Sequence, residues 1–307
     1  MKENLRMSKV IIVGAGPAGI TAAIYLKRGG IEPILIEKMM PGGKVSLTHK
    51  IDNYPGFTSI GGSDLANQMM NQLMENNIDV VYDEVVDISK KEGSFLVKTS
   101  YGEYESDAVI IATGTLEKKL GIPGEKEFFA KGVSTCAVCD GGFFKGQPMA
   151  IIGGGNSALE EALYLSSITE KVYIVHRRNQ FRADQILVDK IKVDSHIEIL
   201  TPYIPLEVKG DNMVSSIILK NVETNEIKEV EIKAMFAYIG ADANTSFISN
   251  KEVLDERGYI KVNSEMETSI PGLFACGDCI AKNLRQVITA CGDGAVAAMS
   301  AVHYLNK

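Results

Sequence analysis

Two cysteines three residues apart, Cys136-Ala-Val-Cys139, are followed directly by Asp140 and then by Gly141-Gly142. Thiols at this spacing can close a small ring and open it again, taking up two electrons. As an anion Asp140 would oppose thiolate formation, but as a protonated acid it could give a leaving thiolate its proton. Cys136, Cys139 and Asp140 are therefore the candidate catalytic residues. Two other readings stand beside this one. The pair could be buried and inert, or it could share a zinc ion with Cys276 and Cys279, a site built from pairs 140 positions apart. With Cys291 the cysteines number five in 307 residues, too sparse and too odd a set for a disulfide scaffold.

Electrons for such a pair can come from a dinucleotide, and two stretches have the form of dinucleotide sites. Lys9–Val13 reads as a strand running into Gly14-Ala-Gly16-Pro17-Ala18-Gly19, then a helical stretch Ile20–Arg28, then a strand Ile34–Ile36 ending in Glu37. Met149–Ile152 runs into Gly153-Gly-Gly155-Asn156-Ser157-Ala158, a helical stretch Leu159–Ser167, and a strand Val172–Val175 ending at His176. From Gly14 to Glu37 is 23 residues, and from Gly153 to His176 is also 23. A glycine loop between strand and helix lets the backbone approach a pyrophosphate, and the helix start offers free N–H groups. The chain thus carries two βαβ nucleotide-binding units in the same register.

The residue closing the second strand selects the nucleotide. Glu37 can accept hydrogen bonds from both ribose hydroxyls, which suits FAD or NAD and repels a 2′-phosphate. In the second unit His176 is followed by Arg177 and Arg178, with Arg182 close behind. Guanidiniums hold a 2′-phosphate with forked, charge-assisted hydrogen bonds, which points to NADPH rather than a solvated basic turn. Two dinucleotides in one chain imply electron passage from one to the other.

The remaining pieces fit an α/β chain of ordinary globular composition. Ser63-Asp64 can cap a helix whose Leu65, Met69 and Leu73 share one face. Ile78–Tyr82, Val85–Ile88, Phe95–Thr99 and Ala108–Ile111 read as strands, and Gln286–Tyr304 as a long Ala-rich helix after Gly277-Asp278. Asp278 suits a hydrogen bond to a ribitol hydroxyl of FAD, leaving Cys276, Cys279 and Cys291 as small packing residues. Thirty-two basic residues against 39 acidic give a net charge of −7, which argues against a nucleic-acid partner. No run approaches the ~18 apolar residues of a membrane span, and Val10–Val13 is too short for the core of a secretory signal. A cytoplasmic protein with no membrane partner is expected.

Together these residues resemble the low-molecular-weight, bacterial-type thioredoxin reductases over nearly the whole chain. The resemblance rests on Gly14–Gly19 with Glu37, Pro41-Gly42-Gly43, Asn53-Tyr-Pro-Gly56, Ala112-Thr113-Gly114, Cys136–Asp140, Gly153–Ala158, His176-Arg-Arg with Arg182, and Gly277-Asp278 through Arg285-Gln286. Cys-x-x-Cys-Asp between two nucleotide loops, together with His-Arg-Arg, is the specific part. It implies two Rossmann-like three-layer domains, the second inserted in the first: an FAD-binding domain from 1–115 and 241–307, and an NADPH-binding domain with the redox pair over 116–240. Thr113–Leu116 and Tyr238–Asn244 would be the crossing strands.

The resemblance assigns to FAD the residues Gly14, Gly16, Pro17, Ala18, Gly19, Glu37, Gly42, Gly43, Lys44, Asn53, Thr113, Gly114, Gly277, Asp278, Arg285, Gln286 and Val287. To NADPH it assigns Gly153, Gly155, Asn156, Ser157, Ala158, His176, Arg177, Arg178 and Arg182. Cys139 would face the flavin, Cys136 would attack the disulfide of thioredoxin, and Asp140 would donate the proton; a homodimer is implied. A peroxiredoxin- or glutaredoxin-like protein is the alternative partner. The family usually has Gln where this chain has Lys44, which would set a positive charge near the flavin.

Overall fold

The computed structural model describes residues 6–91 and 93–306. Residues 1–5 and 307, the ends of the expected outer domain, lie outside the described residues. The chain divides into two compact units, one built from the chain up to Leu116 and from Asp242 onward, the other from Glu117–Ala241. The crossing segments Thr115–Glu117 and Ala241–Ala243 pair as a two-stranded ladder.

In the outer unit the strand Arg6–Val13 lies parallel to Pro33–Glu37 on one side and to Glu103–Ile111 on the other. Val80–Tyr82 extends the sheet beyond Pro33–Glu37. The first half of Glu103–Ile111 takes Ser94–Thr99 antiparallel, which in turn carries Val85–Lys91; its second half takes Leu273–Ala275 in parallel. Central parallel strands covered on both faces read as unbroken apolar runs, and Val10-Ile-Ile-Val13 is one. Its side chains alternate between two cores with the two-residue period of a strand. Val10 and Ile12 join Ala108 and Ile110 under the helices Pro17–Arg28, Gly62–Glu75 and Val287–Leu305. Ile11 and Val13 join Val109 and Ile111 against Phe95, Ile248 and Ile260.

The inner unit has a five-stranded parallel sheet in the order Ile197–Leu200, Val172–Val175, Met149–Gly153, Ala234–Tyr238, Val133–Ser134. The helices Asn156–Ser166 and Gln185–Val193 pack on Met149, Ile151, Ile174 and Phe236. An antiparallel meander, Tyr203–Gly210, Val214–Asn221 and Ile227–Glu231, packs on Ala150, Ile152, Val175 and Met235. The unit is three-layered, and the short helix Ala137–Asp140 belongs to its helical layer through buried Ala137.

Both nucleotide-loop helices begin three residues earlier than the periodicity predicts, at Pro17 and Asn156 instead of Ile20 and Leu159. The last three residues of each loop motif already form the first turn, Pro17 with the fixed φ that suits a helix start. A second difference concerns Ser63-Asp64. The helix starts at Gly62 with Gly61 as its cap and no side-chain cap bond, so both residues sit in the first turn, where the Asp64 charge still favours the helix dipole. Gly62 is required there because a Cβ would lie 2.1 Å from the Val45 carbonyl oxygen.

The first and last helices of the outer unit touch through small residues, Ala18 and Ala22 against Gly294, Ala297 and Ala301 among them. A Cβ at Gly294 would stand 2.1 Å from the Ala18 carbonyl oxygen. Gly294→Val is therefore expected to destabilise the protein by about 3 kcal/mol, an overpacking cost with no flexible neighbour to yield. Thermal unfolding of the variant beside wild type checks it.

Candidate functional site

In the outer unit the glycine loop is drawn tight against the sheet. The Gly14 N–H donates to the Ile36 carbonyl at 2.8 Å, and Gly14 adopts φ +103°, where a Cβ would meet the Ala112 oxygen at 2.5 Å. A Cβ at Gly19 would lie 1.8 Å from the Gly14 oxygen. Around Gly16, by contrast, a Cβ would meet nothing within 4 Å, so the loop turns an open, side-chain-free surface outward at the helix start. The Glu37 carboxylate accepts from the Ala15 N–H at 2.7 Å and the Met39 N–H at 2.8 Å, which fixes it beside that loop. Gly42 donates to the Ala15 carbonyl at 2.7 Å, placing Gly42 and Gly43 against the same loop.

The end of the chain completes this surface. Gln286 caps the helix Val287–Leu305 in a capping box with Thr289, and its Oε1 accepts from Asn53 Nδ2 at 3.1 Å. Thr113 and Gly114 are held to Asn244 by a bond in each direction, at 2.7 and 3.0 Å. Lys44 donates to Thr115 Oγ1 at 2.9 Å. Arg285 donates to the carbonyls of Asp278 and Ile280 and lies 4.2 Å from the Tyr259 ring centre. Beside them Asp278 carries a buried Oδ1 with no hydrogen-bond partner. Burial raises its pKa, against the pull of the Lys282, Lys44 and Arg285 charges.

Lys282 and Asp293, which sequence reasoning passes over, hold the Gly277–Asp278 turn. Asp293 Oδ2 accepts from Lys282 Nζ at 2.6 Å and from the Gly277 N–H at 3.2 Å. A charged residue one turn from buried Ala290 and Ala297 in an otherwise apolar helix is the signal that could have found Asp293. Cys276 and Cys279 are fully buried, and burial pushes the Cys279 thiol up to about 11, which leaves both unreactive. Cys291 is only partly buried, with the Tyr54 hydroxyl 3.9 Å from its sulfur.

The inner unit repeats the loop with different chemistry. Gly153, Gly154 and Gly155 run over the sheet end into the helix Asn156–Ser166, and Gly155, like Gly16, faces open space. Asn156 exchanges two hydrogen bonds with Asp184, at 2.7 and 2.8 Å, and Arg182 N–H donates to the Gly154 carbonyl at 2.8 Å, which ties the arginine segment to the loop. Arg177, Arg178 and Arg182 are exposed, and among the described residues none is paired with a carboxylate. His176 is different. It is 6% exposed, its ring underlies Gly154 and stacks on Phe181 at 5.5 Å, and its Nε2 has no hydrogen-bond partner. It is a floor for the loop, while the three arginines carry the exposed charge.

Cys136 and Cys139 are joined by a disulfide with their Cα atoms 5.4 Å apart. Cys136 is the N-cap of the helix Ala137–Asp140, and its Sγ accepts from the Cys139 N–H at 3.2 Å. The Ser134 hydroxyl accepts from the Cys136 N–H at 3.0 Å. Asp140 is partly buried at the end of the same helix.

These surfaces fit two dinucleotides. Each loop presents free helix-start N–H groups with no side chain in the way, one beside a carboxylate and one beside guanidiniums that no described carboxylate pairs; the buried Asp278 Oδ1, 3.8 Å from Lys282 Nζ and without a hydrogen-bond partner, suits a hydroxyl donor. Residues 8–294 match the pyridine nucleotide-disulphide oxidoreductase family. A thioredoxin reductase of Bacillus subtilis is 41% identical over 299 residues, covering 97% of this chain and 95% of the relative. One of Rickettsia typhi is 44% identical over 308 residues, with 98% and 99% covered. The crystal structure of Lactococcus lactis thioredoxin reductase superposes with a TM-score of 0.95 at 41% identity, covering 97% of this chain and 99% of that one.

Burial lowers the pKa of His176, reinforced by Arg182, Arg177 and Arg178 and only partly opposed by a hydrogen bond that the ring donates to the Gln180 backbone carbonyl. A histidine harder to protonate when folded costs stability once the unfolded chain takes up its proton, below about pH 6.5. The stability of wild type relative to His176→Phe is therefore expected to fall between pH 7.5 and 5.5. Thermal unfolding of the pair at both pH values checks it.

Proposed function

The chain belongs to the pyridine nucleotide-disulphide oxidoreductases, and among them to the thioredoxin reductases, and we propose that it reduces the disulfide of thioredoxin with electrons from NADPH through FAD and the Cys136–Cys139 pair. The observation that carries this reading is the disulfide itself, set in a unit with a nucleotide loop and three unpaired arginines. When bound, FAD takes up hydride from NADPH and supplies two electrons to a disulfide.

Gly14, Gly16, Pro17, Ala18, Gly19 and Glu37 would hold the adenosine and pyrophosphate of FAD in the unit made from both chain ends. Gly42, Gly43, Lys44, Asn53, Thr113, Gly114, Gly277, Asp278, Arg285, Gln286 and Val287 would line the rest. Gly153, Gly155, Asn156, Ser157 and Ala158 would hold the pyrophosphate of NADPH, with Arg177, Arg178 and Arg182 on its 2′-phosphate and His176 beneath.

Two electrons break the S–S bond and leave Cys139 as a thiolate. Cys136, freed as a nucleophile, is stabilised as a thiolate by the Cys139 N–H already directed at its sulfur. Its attack on one sulfur of the partner's disulfide makes a mixed disulfide and expels the partner's other sulfur as a thiolate. Asp140 relays to that sulfur a proton taken up from solvent. The Cys139 thiolate then attacks Cys136 Sγ, restores the intrachain disulfide and releases the second partner sulfur as a thiolate.

The protein acts as a homodimer. Ile288, Val296 and Met299 leave a third or more of their surface exposed at helical spacing along Val287–Leu305, next to exposed Tyr25, an apolar stripe suited to a second copy. No helix among the described residues is long and apolar enough to cross a membrane. The cytoplasm, where thiols are kept reduced, is the proposed location.

Cys136→Ser is expected to abolish thioredoxin turnover while reduction of the flavin by NADPH persists; stopped-flow absorbance and a thioredoxin-coupled assay read the two steps. Replacing Arg177 and Arg178 together by Gln should raise the KM for NADPH at least tenfold, from two lost charged hydrogen bonds of about 1.5–3 kcal/mol each, and barely move that for NADH. Equal losses with both cofactors would remove the 2′-phosphate assignment. A purified protein that is colourless and takes up no FAD would overturn the function as a whole.

A further inference from the structure

Behind the cysteine pair lies a polar group that no motif marks. Tyr238 closes the strand Ala234–Tyr238, and its hydroxyl accepts a hydrogen bond from the Ala137 N–H at 2.9 Å. The two residues are 101 positions apart in sequence, and Ala137 is the residue directly after Cys136, fully buried. A buried N–H needs an acceptor, and here a side chain supplies it at the first residue of the redox helix. Glu161 of the helix Asn156–Ser166, whose charge bears on Tyr238, is 8% exposed, with a buried Oε2 that has no hydrogen-bond partner. Its neighbours on the same face are Ala158, Ala162 and Leu165, all core residues. A carboxyl on an apolar face is retained against a substantial desolvation cost.

We propose that Tyr238 is a positioning residue of the dithiol centre, its hydroxyl anchoring the redox helix at Ala137, and that Glu161 is the buried acid that keeps the region behind the helix neutral while the pair works. This rests on the reading of Cys136 and Cys139 as the redox pair. The electrostatics agree with the geometry. Burial and the neighbouring Glu160 push the Glu161 carboxyl up to about 8, so it is largely protonated at pH 7. The Tyr238 phenol is raised by burial and by the Glu161, Glu117 and Asp140 charges, so it stays a neutral hydroxyl throughout. Glu160 and Tyr238 interact electrostatically with Glu161, and Glu117 and Asp140 with Tyr238; all four are acids, and each resists a further negative charge. As pH rises through 8, Glu161 ionises and sets a negative charge behind the pair, which opposes thiolate formation there.

Two measurements on the flavin-loaded protein test this without thioredoxin. The first is the disulfide–dithiol equilibrium against dithiothreitol. Tyr238→Phe removes an interaction present in the disulfide form, so the equilibrium should move about tenfold toward the dithiol, equal to about 30 mV. The second is the alkylation rate of the reduced pair by iodoacetamide between pH 6 and 10. In wild type the rate should climb over a wider range than the two thiols alone give, because Glu161 ionises alongside them. Glu161→Gln and Glu161→Met, both neutral, should each narrow it to the curve of the two thiols, with a lower midpoint. An unmoved equilibrium in Tyr238→Phe overturns the anchoring role, and curves that superimpose on wild type overturn the buried acid. A failure of thioredoxin turnover in wild type would strike the function proposed above and leave both readouts intact.

Discussion

A side chain at Gly19 would place its first carbon 1.8 Å from the Gly14 carbonyl oxygen, and one at Gly14 would collide with Ala112. The strand Arg6–Val13, the helix Pro17–Arg28 and the segment after Glu103–Ile111 can meet at one point only because these positions carry no Cβ. That closeness aims the helix start outward beneath Gly16 and fixes Glu37 through the Ala15 N–H. Gly153 obeys the same constraint in the inner unit, where a Cβ would meet the Tyr238 oxygen at 2.5 Å. Backbone sterics thus set both open helix-start surfaces before any charged side chain contributes.

Charge then separates two otherwise equivalent loops. In the outer unit the acid at the end of the second strand is fixed in place, each carboxylate oxygen accepting from one backbone N–H group and keeping capacity for another donor. In the inner unit the corresponding His176 is turned under the loop and kept neutral by burial, and the following arginines are exposed, with no carboxylate partner among the described residues. This difference in charge is what supports assigning a 2′-phosphate to the second loop rather than the first. The same unit brings the cysteine pair against its helical layer through Ala137, so dinucleotide loop and disulfide share one small domain.

Three buried polar groups lie where a function is proposed, whereas Ser106, with a likewise unpartnered buried hydroxyl, belongs to neither proposed site. Asp278, Glu161 and His176 each hold a solvent-inaccessible polar atom without a hydrogen-bond partner. Two of the three adjoin a dinucleotide surface and the third lies behind the disulfide. By contrast Cys276 and Cys279, which repeat the Cys-x-x-Cys spacing, sit fully buried with raised thiol pKa values and pack as apolar residues. Spacing alone makes the two pairs look alike; burial separates an inert pair from a redox-active one.

Residue order alone determined the two strand–loop–helix units, because a glycine loop between an apolar strand and an amphipathic stretch is local geometry. It also determined the acid at Glu37 and the arginines after His176, each a matter of a few adjacent residues, and it offered Cys136 and Cys139 as one of two equally spaced pairs. The helix starts were misplaced by three residues because periodicity registers only where side chains begin to face the core. Only the tertiary structure decided that His176 points inward, that Lys282 and Asp293 hold the Gly277–Asp278 turn, and that Tyr238 reaches Ala137 across 101 positions. Such pairings are made by strands and helices that neighbour each other in space, and no local pattern of side chains records which distant residue the packing will supply.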